Sequence, residues 1–221
     1  MGDGEPHSRG ILRVTAPVSF GAEKLVPALG TYRDRAPDVT LDILLTDRRV
    51  DLVEEGVDVA FRIGTIADGP VIARPLSPYR MIICAAPAYL ARKGIPRHPK
   101  DLAGHEAVGF TPSAASPWRL SRGRDEEEVV TVTPAMPVVV NSGQAVRQAG
   151  LAGLGVILQP ALLLEADIQA GLLVPILEDW CLPSRPMSLL YYRDRTMTPR
   201  LRSFLTFAVD AFGAPSSSKT L

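Results

Sequence analysis

Polar residues at the ends of predicted strands are the part of this 221-residue sequence best suited to bind a ligand. In open α/β sheets, ligands bind at the carboxyl ends of the strands, where helix N-termini also present backbone amides. We call the residues at the ends of predicted strands, or directly after them, the strand-end residues. They are Pro17, Val18, Ser19, Phe20, Thr46, Arg62, Gly64, Phe110, Thr111, Asn141, Ser142, Gln159 and Pro160.

Arg62 is the most informative of these residues, because it interrupts an apolar strand on the face opposite Val59 and Phe61. A guanidinium at such a place could bind a carboxylate through two parallel hydrogen bonds. The alternative is a salt bridge to a neighbouring acidic residue.

Other strand-end residues also have structural alternatives. A serine or asparagine before a helix stabilises it by about 1 kcal/mol as an N-cap without any ligand. This alternative applies to Ser19, Asn141 and Ser142. Thr46 could simply be a β-branched strand residue, Phe110 a core residue, and Gln159 a residue that satisfies the start of a helix.

Signatures of catalysis and of metal binding are absent from the sequence. It contains no GxSxG, HExxH, CxxC or Walker A motif. The glycines of GLAGLG (150–155) follow a predicted helix and open a strand, which is the reverse of the dinucleotide-binding order. We therefore expect neither a cofactor nor a metal ion. The two cysteines, Cys84 and Cys181, are expected to be buried free thiols.

Charge and hydropathy exclude further classes of function. The sequence has 24 Lys and Arg residues and 24 Asp and Glu residues, so it lacks the excess of basic residues that binds nucleic acid or an anionic membrane. No uncharged run reaches the roughly 20 apolar residues of a membrane helix, and no secretory signal opens the chain. We expect a cytoplasmic protein with no membrane partner.

Strands alternate with helices along the chain, a pattern typical of βαβ units with mostly parallel sheets. So many strands favour two α/β lobes over one sheet. The predicted strands are 11–16, 40–46, 57–64, 80–86, 105–110, 136–141, 155–160, 172–177 and 187–193, with a hairpin at 118–133. The predicted helices are 21–35, 48–56, 87–94, 142–153, 160–170 and one from 198 onward; 1–9 and 214–221 are expected to be flexible termini.

Several segments, in this order and spacing, resemble the C-terminal effector-binding domain of LysR-type transcriptional regulators. The resemblance covers roughly residues 10–212, and FRIG and CAAPAYLARKG are similar to the subgroup of malate-responsive and adhesion-gene regulators. The segments are GILRVTAPVSFG (10–21), PALGTYRDRAPDVTLDI (27–43), DLVEEGVDVAFRIG (51–64), ICAAPAYLARKGIPRHPKDLAGHEAVGF (83–110), GLGVILQP (153–160) and TPRLRSFLTF (198–207).

The resemblance implies a type 2 periplasmic-binding-protein-like fold, with two α/β lobes joined by two crossover strands. Lobe I would comprise 10–82 and 183–213, and lobe II 83–182. A small-molecule effector, such as a carboxylate, would bind between the lobes. The family's contacts would fall here on Pro17–Phe20, Thr46, Phe110–Thr111 and Asn141–Ser142.

The resemblance also implies partners. Such domains pair as antiparallel homodimers, here through helices near 22–35 and 142–153, and the full-length protein could form a tetramer. The family's winged helix-turn-helix lies N-terminal to this region, and nine residues precede the first lobe here. DNA contact is therefore expected only through a segment absent from this chain. The alternatives are a free solute-binding protein of a transport system and, less favoured, an enzyme.

Overall fold

The computed structural model describes residues 8–48, 50–66, 69–123, 126–193 and 196–214. The expected flexible termini fall almost wholly outside these ranges. The chain divides into unit 1, Met1–Tyr79 with Arg185–Leu221, and unit 2, Arg80–Ser184. The chain therefore passes from one unit to the other twice.

Unit 1 is built on a five-stranded mixed sheet with the order β2-β1-β3-β12-β4. Strands β1 and β2 are parallel, as are β1 and β3, whereas β12 is antiparallel to both β3 and β4. The strands are β1 (Gly10–Ala16), β2 (Val39–Leu45), β3 (Val59–Ile63), β4 (Val71–Tyr79) and β12 (Arg185–Tyr192).

Helices cover the sheet of unit 1 and contribute much of its aromatic core. Helix α1 (Val18–Phe20) continues through a π-helical segment, Gly21–Leu25, into α2 (Val26–Arg35), and α6 (Pro199–Phe212) closes the unit. The phenolic ring of Tyr32 lies edge-on to Phe204 at 5.2 Å. Both side chains are almost fully buried, so this contact ties α2 to α6.

Unit 2 is built on a second mixed sheet with the order β11-β5-β10-β6-β9, and a separate hairpin pairs β7 with β8. Strands β10, β6 and β9 are parallel neighbours, whereas β5 is antiparallel to β10 and β11. The strands are β5 (Met81–Ala85), β6 (Glu106–Phe110), β7 (Trp118–Arg122), β8 (Glu128–Val132), β9 (Ala135–Val140), β10 (Val156–Pro160) and β11 (Val174–Pro175). Its α-helices are α3 (Pro87–Lys93), α4 (Gly143–Leu151) and α5 (Ala161–Gln169).

The predicted helix over 48–56 is wrong. Residues 52–56 form turns, and Arg48 lies in a bend. The carboxylate of Asp51 accepts hydrogen bonds from the backbone N–H groups of Val53 and Glu54, as a helix N-cap does, but the turn that it starts does not continue beyond Gly56. The glycine expected to end the helix, Gly56, does adopt a left-handed φ of 63°.

Strand direction and exposure differ from the prediction in several places. An almost wholly apolar run such as 80–86 is typical of a buried parallel strand, but β5 pairs only antiparallel. The strand predicted at 136–141 is an edge strand with every second residue exposed. The sequence pattern did not predict β4 at all, because Pro75 and Pro78 suggest a loop.

Two further expectations need correction. The helix predicted from Gly21 begins at Val18; Pro27 lies in the first turn of α2, a position that suits proline. The two cysteines differ: Cys84 is fully buried and Cys181 is exposed. Burial raises the pKa of the Cys84 thiol to about 12.

Candidate functional site

The strand-end residues of unit 1 gather at one edge of its sheet, because β1, β2 and β3 are parallel. The backbone N–H of Thr46 donates to the carbonyl of Ala16 at 2.9 Å, which joins the ends of β1 and β2. Pro17–Phe20 form the first helical turn directly after β1. Ser19 is 9% exposed and Phe20 is 4% exposed, so this turn is packed into the unit.

The Arg62 guanidinium lies on the loop that follows β2. It donates to the carbonyl of Val50 at 2.7 Å and to that of Arg48 at 3.2 Å. The side chain therefore anchors this loop, a role that neither reading of the sequence anticipated. Next to Arg62, Gly64 has a φ of 98°, and its N–H donates to the carbonyl of Pro186 at 2.8 Å.

Asp47 belongs to the same edge, although the sequence analysis did not select it. Its carboxylate accepts a hydrogen bond from the N–H of Val18 at 3.1 Å, at the start of α1. Burial raises the pKa of this carboxyl, and the hydrogen bond partly offsets that rise. A simple signal could have found Asp47, since it directly follows the strand-end residue Thr46.

Tyr79 was also missed, because β4 was not predicted. Its hydroxyl is buried without a hydrogen-bond partner in the described part of the chain. Burial raises the pKa of this phenol, and the negative charge of Asp47 adds to the rise. The ring lies 6.3 Å from that of Phe20, so Tyr79 packs beneath the turn after β1.

The strand-end residues of unit 2 gather at the carboxyl edge of β10, β6 and β9. In the register of this sheet, Phe110 lies opposite Val140, which brings Thr111 beside Asn141. Helix α4 starts at this edge, where the Ser142 hydroxyl caps it by accepting from the N–H of Ala145 at 3.4 Å. The prediction of Ser142 as an N-cap is confirmed. Helix α5 starts at the same edge after Pro160.

Gln159 has an unusual environment at this edge. It is 3% exposed, yet none of the described residues hydrogen-bonds to its side-chain amide. By contrast, the buried side chain of His105 bonds to the Tyr89 hydroxyl at 3.2 Å. In the described part of the chain, the buried side-chain N and O atoms that lack a partner are those of Tyr79 and Arg200, so the Gln159 amide is still reached by solvent and is suited to contact a ligand.

Metal and membrane features do not occur in the described ranges. They contain no group of three or more His, Cys, Asp or Glu side chains able to hold a metal ion. No helix among them is both long and apolar enough to cross a membrane.

Comparison with known proteins supports the class that this architecture suggests. The regulatory domain of CrgA, a LysR-type transcriptional regulator from Neisseria meningitidis, matches with a TM-score of 0.82 and 29% identity, over 93% of this chain and 100% of that domain. The full-length virulence activator AphB of Vibrio cholerae gives a TM-score of 0.82 and 26% identity, over 92% of this chain and 69% of AphB. The fold is therefore the type 2 periplasmic-binding-protein-like fold.

The LysR substrate binding domain model matches residues 6–213. The chain belongs to this family. Among curated relatives, CrgA of Neisseria meningitidis serogroup C is 31% identical over 207 residues, which is 93% of this chain and 68% of CrgA. DmlR of Escherichia coli is 31% identical over 176 residues, which is 80% of this chain and 57% of DmlR. These relatives are transcriptional regulators rather than enzymes.

Proposed function

We propose that this chain senses a small metabolite for a LysR-type transcriptional regulator, and that the strand-end residues of unit 2 bind it. The observation that carries this proposal is Gln159, which is 3% exposed and whose side-chain amide makes no hydrogen bond with a described residue while staying open to solvent at the sheet edge. It lies at the sheet edge where α4 and α5 begin, and the parallel register of β10 and β6 continues to place it opposite Phe110. A polar ligand at this edge would satisfy the amide.

A carboxylate is the ligand group that this edge favours. The N-termini of α4 and α5 present backbone amides and a partial positive charge to it. Unit 1 differs, because Asp47 already holds a carboxylate against the N–H of Val18. We therefore assign the carboxylate of the metabolite to the strand-end residues of unit 2.

Binding would act on transcription through the relative stability of conformations. A metabolite shifts an equilibrium only as far as its affinities for the two states differ. Such a shift would pass through a dimer to DNA-binding domains that lie in a segment outside this chain. A protein acting on DNA in this way would work in the cytoplasm.

Exposed apolar residues support the proposed antiparallel dimer. Val26 on α2 is 49% exposed, and Leu154 just after α4 is 45% exposed. Edge strand β9 also presents Val139, which is 47% exposed. We expect Val26→Lys to weaken dimerisation measured by sedimentation equilibrium. Val53→Lys, equally apolar but outside the proposed helices, should leave it unchanged; an equal effect of both would contradict the arrangement.

Thermal-shift screening with small carboxylates tests the ligand proposal, because a bound metabolite raises the melting temperature. For a carboxylate that binds, Gln159→Met should weaken affinity about 10- to 100-fold, as expected for loss of a hydrogen bond to a charged group. Gln148→Met is the matched control, since Gln148 is exposed on α4. Equal affinities of the two variants would refute the assignment of Gln159.

Arg62→Ala tests the alternative in which the Arg62 guanidinium binds the carboxylate of the metabolite. If Arg62 binds an anionic metabolite, the variant loses affinity beyond what its loss of stability explains. Arg48→Ala removes a charge from the same loop and is the control, because the Arg48 side chain pairs with Glu55. If affinity is unchanged in Arg62→Ala, the side chain has a structural role and does not bind the metabolite.

A further inference from the structure

Unit 2 contains a cavity of about 480 Å³ that involves none of the strand-end residues. It lies between the start of β5, the second half of α5 and the segment 175–182. Its volume is within the range of small-molecule sites. Met81 in its wall is the cross-strand neighbour of Pro160, so the cavity adjoins the edge discussed above without sharing its residues.

The walls of this cavity are mainly apolar and partly fixed. Ile82, Ile168 and Leu177 supply aliphatic surface. Trp180 is held in place by the Arg122 guanidinium, 4.8 Å from the ring centroid, and by the edge of the His98 ring at 5.0 Å. A preformed apolar wall favours a ligand with an aromatic or aliphatic body, because little ordering is needed on binding.

The charged residues that line the cavity determine which charged group of a ligand would bind favourably. Arg80 and Glu165 pair with each other at 3.3 Å. Glu178 has no ion-pair partner among the described residues, so the lining carries one uncompensated negative charge. The charge of Glu178 also reaches the interior, where it adds to the burial that raises the pKa of Cys84. An ammonium group complements this lining, whereas a carboxylate is repelled.

We propose that this cavity is a second binding site, which takes a small apolar amine with its ammonium group near Glu178. It is independent of the strand-end residues and of the carboxylate proposed for them. Two native reporters line the cavity, Trp180 and Cys181. The chain has two tryptophans and two cysteines, and the other cysteine, Cys84, is fully buried.

The test compares three probes of similar shape: 2-phenylethylamine, 2-phenylethanol and phenylacetate. Reaction of Cys181 with a thiol reagent should slow as the cavity fills, and the emission of Trp180 in Trp118→Phe should shift at the same concentrations. We expect the amine to bind about two- to fivefold more tightly than the alcohol, as an exposed ion pair contributes. Phenylacetate should bind most weakly.

Two variants connect the result to the cavity. Glu178→Gln should reduce the affinity for the amine to that for the alcohol, whereas Glu127→Gln, on an exposed glutamate outside the lining, should not. Ile168→Trp should fill the cavity and abolish binding of every probe. Three results would overturn the proposal. Millimolar amine could fail to slow the reaction of Cys181, or phenylacetate could bind as tightly as the amine. Glu178→Gln could also keep the preference for the amine over the alcohol. Because these readouts need no carboxylate metabolite, they can fail while the sensing function stands.

Discussion

The ion pair between Arg147 and Asp167 yields the sharpest stability prediction. Arg147 on α4 donates to both carboxylate oxygens of Asp167 on α5, at 2.5 and 2.6 Å. Asp167 is 4% exposed, whereas 26% of the Arg147 side chain is exposed. The pair joins two helices that both start at the sheet edge of the strand-end residues.

The expected cost differs between the two partners. Arg147→Ala leaves a buried carboxylate without its counter-charge, and breaking a buried pair in this way costs about 3–5 kcal/mol. Because Arg147 is partly exposed, we expect a value near the lower end, about 3 kcal/mol. Asp167→Asn should cost less, since water can reach the remaining guanidinium. The double variant Arg147→Met/Asp167→Leu should recover most of the loss, because it leaves no buried charge.

Urea denaturation followed by tryptophan emission measures the loss of stability in unit 2, which contains the ion pair. Both tryptophans, Trp118 and Trp180, belong to unit 2, as does the ion pair. At an m value of about 1.5 kcal/mol/M, a loss of about 3 kcal/mol lowers the midpoint by about 2 M urea. Arg119→Ala, which breaks an exposed pair, is the control and should cost less than about 1 kcal/mol. A loss in Arg147→Ala no larger than in this control would refute the reasoning.

Two other substitutions test the local structure of the two units. Because burial raises the pKa of Asp47, the folded protein binds this proton more tightly than the unfolded chain does. The stabilisation that the protonated carboxyl contributes is therefore lost as the pH rises through the pKa of the folded state. Asp47→Asn keeps an acceptor for Val18 and should flatten this dependence, leaving the protein at least as stable near pH 7 by calorimetry; lower stability there would contradict the sign. Gly155→Ala places a Cβ 2.6 Å from the carbonyl oxygen of Glu106 and should cost about 1–3 kcal/mol in urea denaturation. Gly104→Ala, with nothing within 4 Å, is the control, and equal costs would show that the strand can shift.

Local chemistry alone predicted much of the chain. The capping serine before α4, the proline at the start of α6 and the glycine after α3 all lie where short-range rules place them. Apolar periodicity located β1, β6 and β10 to within a residue. These features depend on neighbours a few positions apart, so the sequence contains the information that decides them. The quoted segments also carried the family resemblance.

Only the tertiary structure decided which of these elements meet. The direction of β5 depends on pairing with β10, more than 70 positions away, and an apolar run reads the same in either direction. What packs around each strand end decides which groups the Arg62 side chain contacts and how far Gln159 is buried. The sequence by itself determined most of the elements, their order and the candidate residues at their ends, but neither β4 nor the turns that replace the helix predicted over 48–56. The burial and pairing of those residues arose from long-range packing, which local periodicity does not encode.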